Sequence, residues 1–133
     1  MGRDIYDNST DKEIDLIFWN DQDRNGLYFL PTIIAFECKN WYTKPINGAA
    51  LSWFAKKLRD KALDFGIVVS RSGVTGSESR GTDGYGEIQI ILHDGCKLLV
   101  LTLQDLENLT DTDQVVAMLK EKLCKLVIPL NVS

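Results

Sequence analysis

The chain has 133 residues, of which 44% are hydrophobic, 26% charged and 9% aromatic. This is the composition of one globular domain with its own core, and it excludes disordered, fibrous and collagen-like chains. The apolar runs are too short for a membrane-spanning helix, and three cysteines without a paired spacing favour a reduced, cytoplasmic protein. The net charge of −4 is unfavourable for nucleic-acid binding, but five basic residues and one acidic residue are concentrated between positions 44 and 61.

The first half of the chain predicts two strands, a helix and a third strand. Residues 13–19 and 32–39 are rich in strand-forming residues and flank the turn-forming segment 20–26, so we expect them to pair as a hairpin. Residues 46–63 place apolar side chains at helical spacing, and Phe65–Ser70 reads as a buried strand. This order of strand, helix and strand predicts a right-handed βαβ crossover.

The second half of the chain predicts two further strands and two helices. Residues 71–86 contain five glycines and are expected to form a loop. Residues 87–93 alternate between polar and apolar, which predicts a strand joined by a tight turn to another at Lys97–Thr102. Helices are expected at 105–109 and 113–126. The chain is therefore predicted to be an α/β domain, a mixed central β-sheet of about five strands flanked by helices.

Three polar residues of the predicted hairpin carry the chemistry. Glu37 and Lys39 are two apart on a strand, so their side chains project to the same side, with the main-chain carbonyl of Cys38 nearby. If the hairpin pairs as expected, Asp15 brings a second carboxylate beside Glu37. Two carboxylates and a carbonyl form a hard oxygen site that suits Mg²⁺ or Mn²⁺. Lys39 can then orient or deprotonate an attacking water, while the metal stabilises charge on phosphoryl oxygens.

Asp15, followed after 21 residues by Glu37-Cys38-Lys39, resembles the motif of the PD-(D/E)xK nuclease superfamily, which has the restriction-endonuclease-like fold. The segments EIDLIF, IIAFECKNW, FGIVVSRSGVTG and IILHDGCKLLVL look like the Mrr-type restriction endonuclease branch, over about residues 13–103. The resemblance implies that Asp15 and Glu37 bind the metal and that Lys39 serves the water. It also implies a Mg²⁺-dependent endonuclease that hydrolyses DNA phosphodiester bonds and leaves a 3′ hydroxyl, as the effector domain of a restriction or defence system.

Such a short chain makes little provision for recognising a DNA sequence. We therefore expect residues 1–133 to be a single nuclease-like domain excised from a larger multidomain protein, with a target-recognition domain or partner outside this chain. Cutting both strands requires a homodimer or two active sites. Two other functions stay open. One is a catalytically inactive nuclease-fold module that binds nucleic acid or protein, favoured by the acidic charge and by the lack of a helical glutamate before the first strand. The other is an RNA-cleaving toxin or effector domain.

Residues beside the three predicted catalytic groups have more than one interpretation. Glu13 and Asn40 are candidates to support the metal ligands from outside, although Glu13 fits an ordinary polar strand residue better. The side chain of Cys38 is expected to point into the apolar layer opposite Glu37, where it would pack and stay unreactive.

Basic and aromatic residues around the predicted helix form a second set of candidates. Lys44, Lys56 and Arg59 are the candidate nucleic-acid contacts, and they either bind phosphates or belong to a solvated helix face. Trp41, Trp53 and Phe54 are candidates to stack on bases, but Trp53 and Phe54 lie at helical spacing and are expected in the core. Trp41 keeps both interpretations. Lys57 and Lys61, the other basic residues of the segment, likewise either bind phosphates or belong to a solvated helix face.

Overall fold

The computed structural model describes residues 2–3, 16–39, 44–78 and 80–128, and at Gly2, Arg3 and Lys39 it describes the backbone alone. Strands and helices follow one another as a strand pair, then strand–helix–strand–helix–strand, then two helices. The elements are β1 (Gly2–Arg3), β2 (Leu16–Trp19), β3 (Ile33–Lys39), α1 (Gly48–Asp60), β4 (Phe65–Ser70), α2 (Asp83–His93), β5 (Lys97–Thr102), α3 (Leu103–Glu107) and α4 (Thr112–Val127).

Strands β2 to β5 form a mixed sheet in sequence order, and the two-residue strand β1 pairs with the outer side of β2. Strand β2 runs antiparallel to β3, with Leu16 opposite Phe36, which confirms the predicted hairpin. Strands β3, β4 and β5 are parallel, so their carboxyl ends lie together. We call this side of the sheet the carboxyl edge; there Lys39 pairs with Ser70, and Ser70 pairs with Thr102.

Helix α1 connects β3 to β4 and covers one face of the sheet. The side chain of Asn47 caps it by accepting a hydrogen bond from the Ala50 N–H at 2.9 Å. Gly66 of β4 lies beneath the helix, because a Cβ at this position would come within 2.8 Å of the side chains of Phe54 and Leu58. With no side chain at Gly66, both residues pack directly on the sheet and are fully buried. The predicted strand–helix–strand unit is confirmed.

Residues 87–93, which we predicted to be a strand, belong to helix α2, so that prediction and its hairpin with β5 are wrong. Gly84, Ile88 and Ile91 are buried at the i, i+4, i+7 spacing of a helix face. The reason for the helix lies in the topology, because β4 and β5 are adjacent and parallel and a tight turn cannot join parallel neighbours. Helix α2 provides the crossover between them and packs against α1 and β5.

The opposite face of the sheet is covered by residues 20–32 and the C-terminal helices. The side-chain amide of Asn20 donates to the main-chain carbonyls of Leu27, Leu30 and Pro31, which folds this connection back onto β2 and β3. Leu119 of α4 is buried in the core. An α/β class with a mixed sheet flanked by helices is therefore confirmed, and four of the five predicted strands are present. None of the helices in the described ranges has the length and apolar character needed to cross a bilayer.

Candidate functional site at the carboxyl edge

Glu37 is a buried carboxylate near the carboxyl end of the central strand β3. It is 4% exposed and pairs in register with Val68 of β4. Because side chains alternate along a strand, Glu37 shares a face with Ala35, whose partner is the Gly66 beneath α1. Glu37 therefore faces the helix, where an ionised carboxylate needs a partner to offset its lost hydration.

Lys57 of α1 is a partner of this carboxylate. Its Nζ donates to Glu37 Oε1 at 3.0 Å and to Oε2 at 3.1 Å. Lys57 is itself only 6% exposed, and its Nζ lies 5.9 Å from the centre of the Phe54 ring. Helical side chains lean towards the start of their helix, which directs the long apolar stem of Lys57 along the helix towards the carboxyl edge. The pair is a bidentate, charge-assisted interaction buried between a helix and the sheet.

The other residues predicted to carry the chemistry are described to different extents. The backbone of Lys39 forms the last position of β3, two residues beyond Glu37 and opposite Ser70, and its side chain lies outside the described part of the structure. Asp15, with the supporting candidates Glu13 and Asn40, also lies outside the described residues. The structure thus brings Glu37 and the Lys39 backbone together at one strand end, and the remaining assignments stay predictions.

Cys38 does not pack in the apolar layer as we predicted, because its side chain is exposed. Phe36, on the same face of β3, packs instead, with its ring in edge-to-face contact with that of Phe18 at a centroid distance of 5.2 Å. The role of its main-chain carbonyl as a metal ligand stays a prediction.

The candidate nucleic-acid contacts Lys44, Lys56 and Arg59 are all exposed. Lys56 pairs with Asp60 at 3.3 Å and lies 5.8 Å from the centre of the Trp53 ring. This exposure is compatible with both interpretations of these residues, as phosphate contacts and as a solvated helix face.

Lys57 and Trp53 have exchanged the environments that we predicted for them. Trp53, expected in the core, is 42% exposed, whereas Lys57 is buried and belongs neither to a solvated face nor to a surface that grips phosphates. A signal for this was present in the sequence, because Leu51, Phe54 and Leu58 mark the buried stripe at i, i+3 and i+7. Lys57 borders that stripe and Trp53 lies further round the helix. Lysine is so rarely buried, however, that the pattern alone favours an exposed side chain.

The donor chemistry of Glu37 fits a divalent cation. Lys57 donates to both oxygens of the carboxylate, and carboxylate oxygens are preferred ligands of a hard cation such as Mg²⁺. The ammonium of Lys57 opposes a second positive charge in the same place. Within the described ranges, no three His, Cys, Asp or Glu side chains group as a metal site. The complete predicted site additionally requires Asp15.

Two clefts lie away from Glu37. A cleft of about 590 Å³ between residues 18–36 and helices α3 and α4 is mainly apolar. A smaller one of about 250 Å³ lies between α2, β5 and α4 and includes Tyr85 and Asp105. Burial raises the pKa of the Tyr85 phenol, and the carboxylates of Glu78 and Asp105 raise it further. In the smaller cleft the Asp105 carboxylate is engaged by the Thr102 N–H and the Lys122 ammonium, so Glu37 and its surroundings remain the stronger candidate site.

Comparison with protein-family models, curated proteins and solved structures gives no match to this chain. A function is therefore inferred from the residues of the carboxyl edge, their geometry and their chemistry.

Proposed function

We propose that this chain is a metal-dependent nuclease of the PD-(D/E)xK type, closest to the Mrr branch, which hydrolyses phosphodiester bonds in DNA. The observation that carries the proposal is the position of Glu37. It is a buried carboxylate at the carboxyl end of a central strand, two residues before the lysine of the same motif. A solvated Glu-x-Lys pair on an edge strand, the ordinary alternative for such a short motif, does not account for this burial.

The architecture supports the proposal at a coarser level. An antiparallel hairpin leads into a strand–helix–strand unit, and the strand that carries the motif is in the middle of the sheet. This is compatible with the restriction-endonuclease-like fold that the sequence resemblance implies. The carboxyl ends of adjacent parallel strands are a usual location for the active sites of α/β proteins.

The residues of the motif divide the work as follows. Glu37 is held in one orientation by Lys57 and offers carboxylate oxygens to Mg²⁺ or Mn²⁺, together with Asp15 and the Cys38 carbonyl. When bound, the cation supplies a Lewis acid that stabilises negative charge on the phosphoryl oxygens. Lys39 orients or deprotonates the attacking water. The water oxygen would form a bond to phosphorus as the bond from phosphorus to the 3′ oxygen breaks, and a proton from solvent would complete the 3′ hydroxyl and leave a 5′ phosphate.

The proposed substrate surface is the exposed basic side of α1 and the residues before it. Lys44, Lys56 and Arg59 would contact phosphates, each contributing to the salt dependence of binding. A homodimer would allow both strands to be cut, and a domain or partner outside this chain would select the target. The proposed biological role is that of an effector in a restriction or defence system.

A cleavage series tests the proposal. Plasmid, linear duplex, single-stranded DNA and RNA are incubated with Mg²⁺, Mn²⁺ or EDTA, using the native chain and the variants Glu37→Gln and Lys39→Ala. We expect cation-dependent DNA cleavage that falls by about 100-fold or more in each variant, the usual effect of removing one electrostatic group from an active site. Exposed residues at the opposite, amino end of the parallel strands provide matched controls, Asp64→Asn before β4 and Lys97→Ala at the start of β5, which should cleave normally.

The outcomes of this series separate the candidate functions. Cleavage that persists in both Glu37→Gln and Lys39→Ala would contradict the proposal. Cleavage confined to RNA would instead favour the RNA-cleaving effector. Thermal unfolding of each variant establishes that lost cleavage reflects chemistry and that the protein remains folded.

A second candidate, the catalytically inactive module that binds nucleic acid or protein, is favoured by one specific observation. Both oxygens of Glu37 accept hydrogen bonds from Lys57, which gives the carboxylate a structural role that needs no metal. In the same series, DNA binding without cleavage under any cation would support this candidate.

A further inference from the structure

The buried pair of Glu37 and Lys57 joins the proposed metal ligand to a helix that the sequence motif does not include. We propose that Lys57 is a positioning residue that stands in for the divalent cation: its ammonium holds Glu37 when no metal is bound and competes with the metal for the carboxylate. This inference rests on the proposed function, because it assumes that Glu37 is a metal ligand.

The buried pair of Lys57 and Glu37 is not required for packing. The side chains of Lys57 and Glu37 are 8% and 5% exposed, so both charged groups have lost most of their hydration. Apolar residues of similar volume often stabilise such a position as well as a buried ion pair does. The neighbours of Lys57 on the same helix, Phe54 and Leu58, show that this interface accommodates large apolar side chains.

The ammonium of Lys57 contacts Glu37 in the way that a bound cation would. A single ammonium contacts both carboxylate oxygens, at 3.0 and 3.1 Å. It thereby fixes the carboxylate plane from one side, as a chelated cation would. A Mg²⁺ ligand distance is about 2.0–2.1 Å, so a metal on either oxygen would lie close to the Lys57 ammonium. The resulting repulsion is strong where water is largely excluded, so the two cations cannot both occupy Glu37 without a cost.

Lys57 keeps an electrostatically favourable neighbour if its ammonium moves away from one oxygen of Glu37. Its four-carbon stem is flexible, and its Nζ already lies 5.9 Å from the centre of the Phe54 ring. The face of an aromatic ring attracts an ammonium. Lys57 can therefore loosen its contact with one oxygen of Glu37 while it keeps favourable surroundings.

Direct measurement of metal binding tests the inference without relying on cleavage. Mn²⁺ binding is measured by titration calorimetry for the native chain, Lys57→Met and Lys56→Met. Methionine keeps the apolar stem of the lysine and removes its charge. Lys56→Met removes the same charge from the next position of α1, where the side chain is 52% exposed and pairs with Asp60.

If Lys57 competes with the metal, Lys57→Met should bind Mn²⁺ at least about fivefold more tightly than the native chain, the lower end of ordinary coupling between two binding events. Mn²⁺ should also raise the melting temperature of this variant more than that of the native chain. Lys56→Met should behave like the native chain in both measurements. Equal or weaker Mn²⁺ binding by Lys57→Met, with binding by the native chain intact, would overturn the inference and leave the nuclease proposal standing.

A second measurement keeps the inference testable if Lys57→Met does not fold. In the native chain, the NMR signal of the Lys57 ammonium, protected from exchange by its burial, should shift and exchange faster on addition of Mg²⁺. This change should follow the binding isotherm. An ammonium signal that stays constant while Mg²⁺ binds would overturn the inference. Failure of Mn²⁺ and Mg²⁺ to bind any variant would overturn both the inference and the metal-dependent function, whereas metal binding without cleavage would count against the nuclease alone.

Discussion

Breaking the buried ion pair should destabilise the protein far more than breaking an exposed pair on the same helix. The perturbation is Lys57→Met, which leaves the Glu37 carboxylate between α1 and β3 without this partner. At the 3.0 Å separation of Nζ and Oε1, Coulomb's law with an effective dielectric constant of 20 gives about 5–6 kcal/mol of attraction. In the intact pair, the cost of desolvating both charges offsets much of this attraction. Removal of Lys57 takes away the attraction but leaves the desolvation cost of Glu37, so we expect a loss of about 3–5 kcal/mol in the free energy of unfolding.

The assay is urea unfolding in EDTA, followed by circular dichroism, for Lys57→Met, Glu37→Leu and the double variant. For a chain of this size, the loss in each single variant corresponds to roughly 10–20 °C in melting temperature. The double variant removes both charges together, so it should be less destabilised than the sum of the single variants by at least about 2 kcal/mol. Lys56→Met, which breaks the exposed pair with Asp60, should cost about 0–1 kcal/mol. Additivity of the two single variants within about 0.5 kcal/mol, or equal losses in Lys57→Met and Lys56→Met, would refute this reasoning.

Two further predictions concern the fold that positions the site. Gly66→Ala should cost about 1–3 kcal/mol in the free energy of unfolding, because the added Cβ meets side chains of α1 at 2.8 Å. Gly48→Ala, whose Cβ meets its nearest neighbour at 3.4 Å, should be close to neutral. Equal shifts in the urea midpoint of the two variants would contradict this. Burial alone would raise the pKa of Asp105, but the Thr102 backbone N–H and the Lys122 ammonium outweigh it and lower that pKa. Asp105→Asn should therefore be less stable than the native chain above pH 4–5, by about 1 kcal/mol, and the difference should disappear as the pH falls through the lowered pKa; a difference that stays constant to pH 2 would refute it.

Much of the sheet was predictable because its strands are locally distinctive. Phe65–Ser70 and Lys97–Thr102 are confirmed at both ends, and Ile33–Lys39 begins one residue later than predicted. These segments are rich in β-branched and large apolar residues and are bounded by polar or turn-forming residues. For the candidate site, the same local pattern put Glu37 and Lys39 at the end of a central strand. The second carboxylate predicted for this site, Asp15, lies outside the described residues.

The secondary structure of residues 87–93 could not be decided from the local sequence pattern. The segment satisfies the alternation of a strand, and its isoleucines 88 and 91 also satisfy the spacing of a helix face. The decision came from β4 and β5, which pair side by side in parallel and therefore need a crossover between them. Once β4 and β5 are parallel neighbours, only a helix at residues 87–93 is compatible with the rest of the chain.

The amino-acid sequence by itself determined the α/β class, the hairpin of β2 and β3, the helix between β3 and β4, and the Glu-x-Lys motif at a strand end, because each depends on residues close together in the chain. The tertiary structure decided which side of α1 is buried. Phe54 and Leu58 pack over Gly66, and this contact turns Lys57 towards Glu37 and leaves Trp53 facing solvent. The pairing of two charges 20 residues apart depends on that rotation of the helix. Because lysine carries an apolar stem as well as a charge, Lys57 could be exposed or buried at this position of the sequence. The packing of the helix on the sheet selects the buried environment.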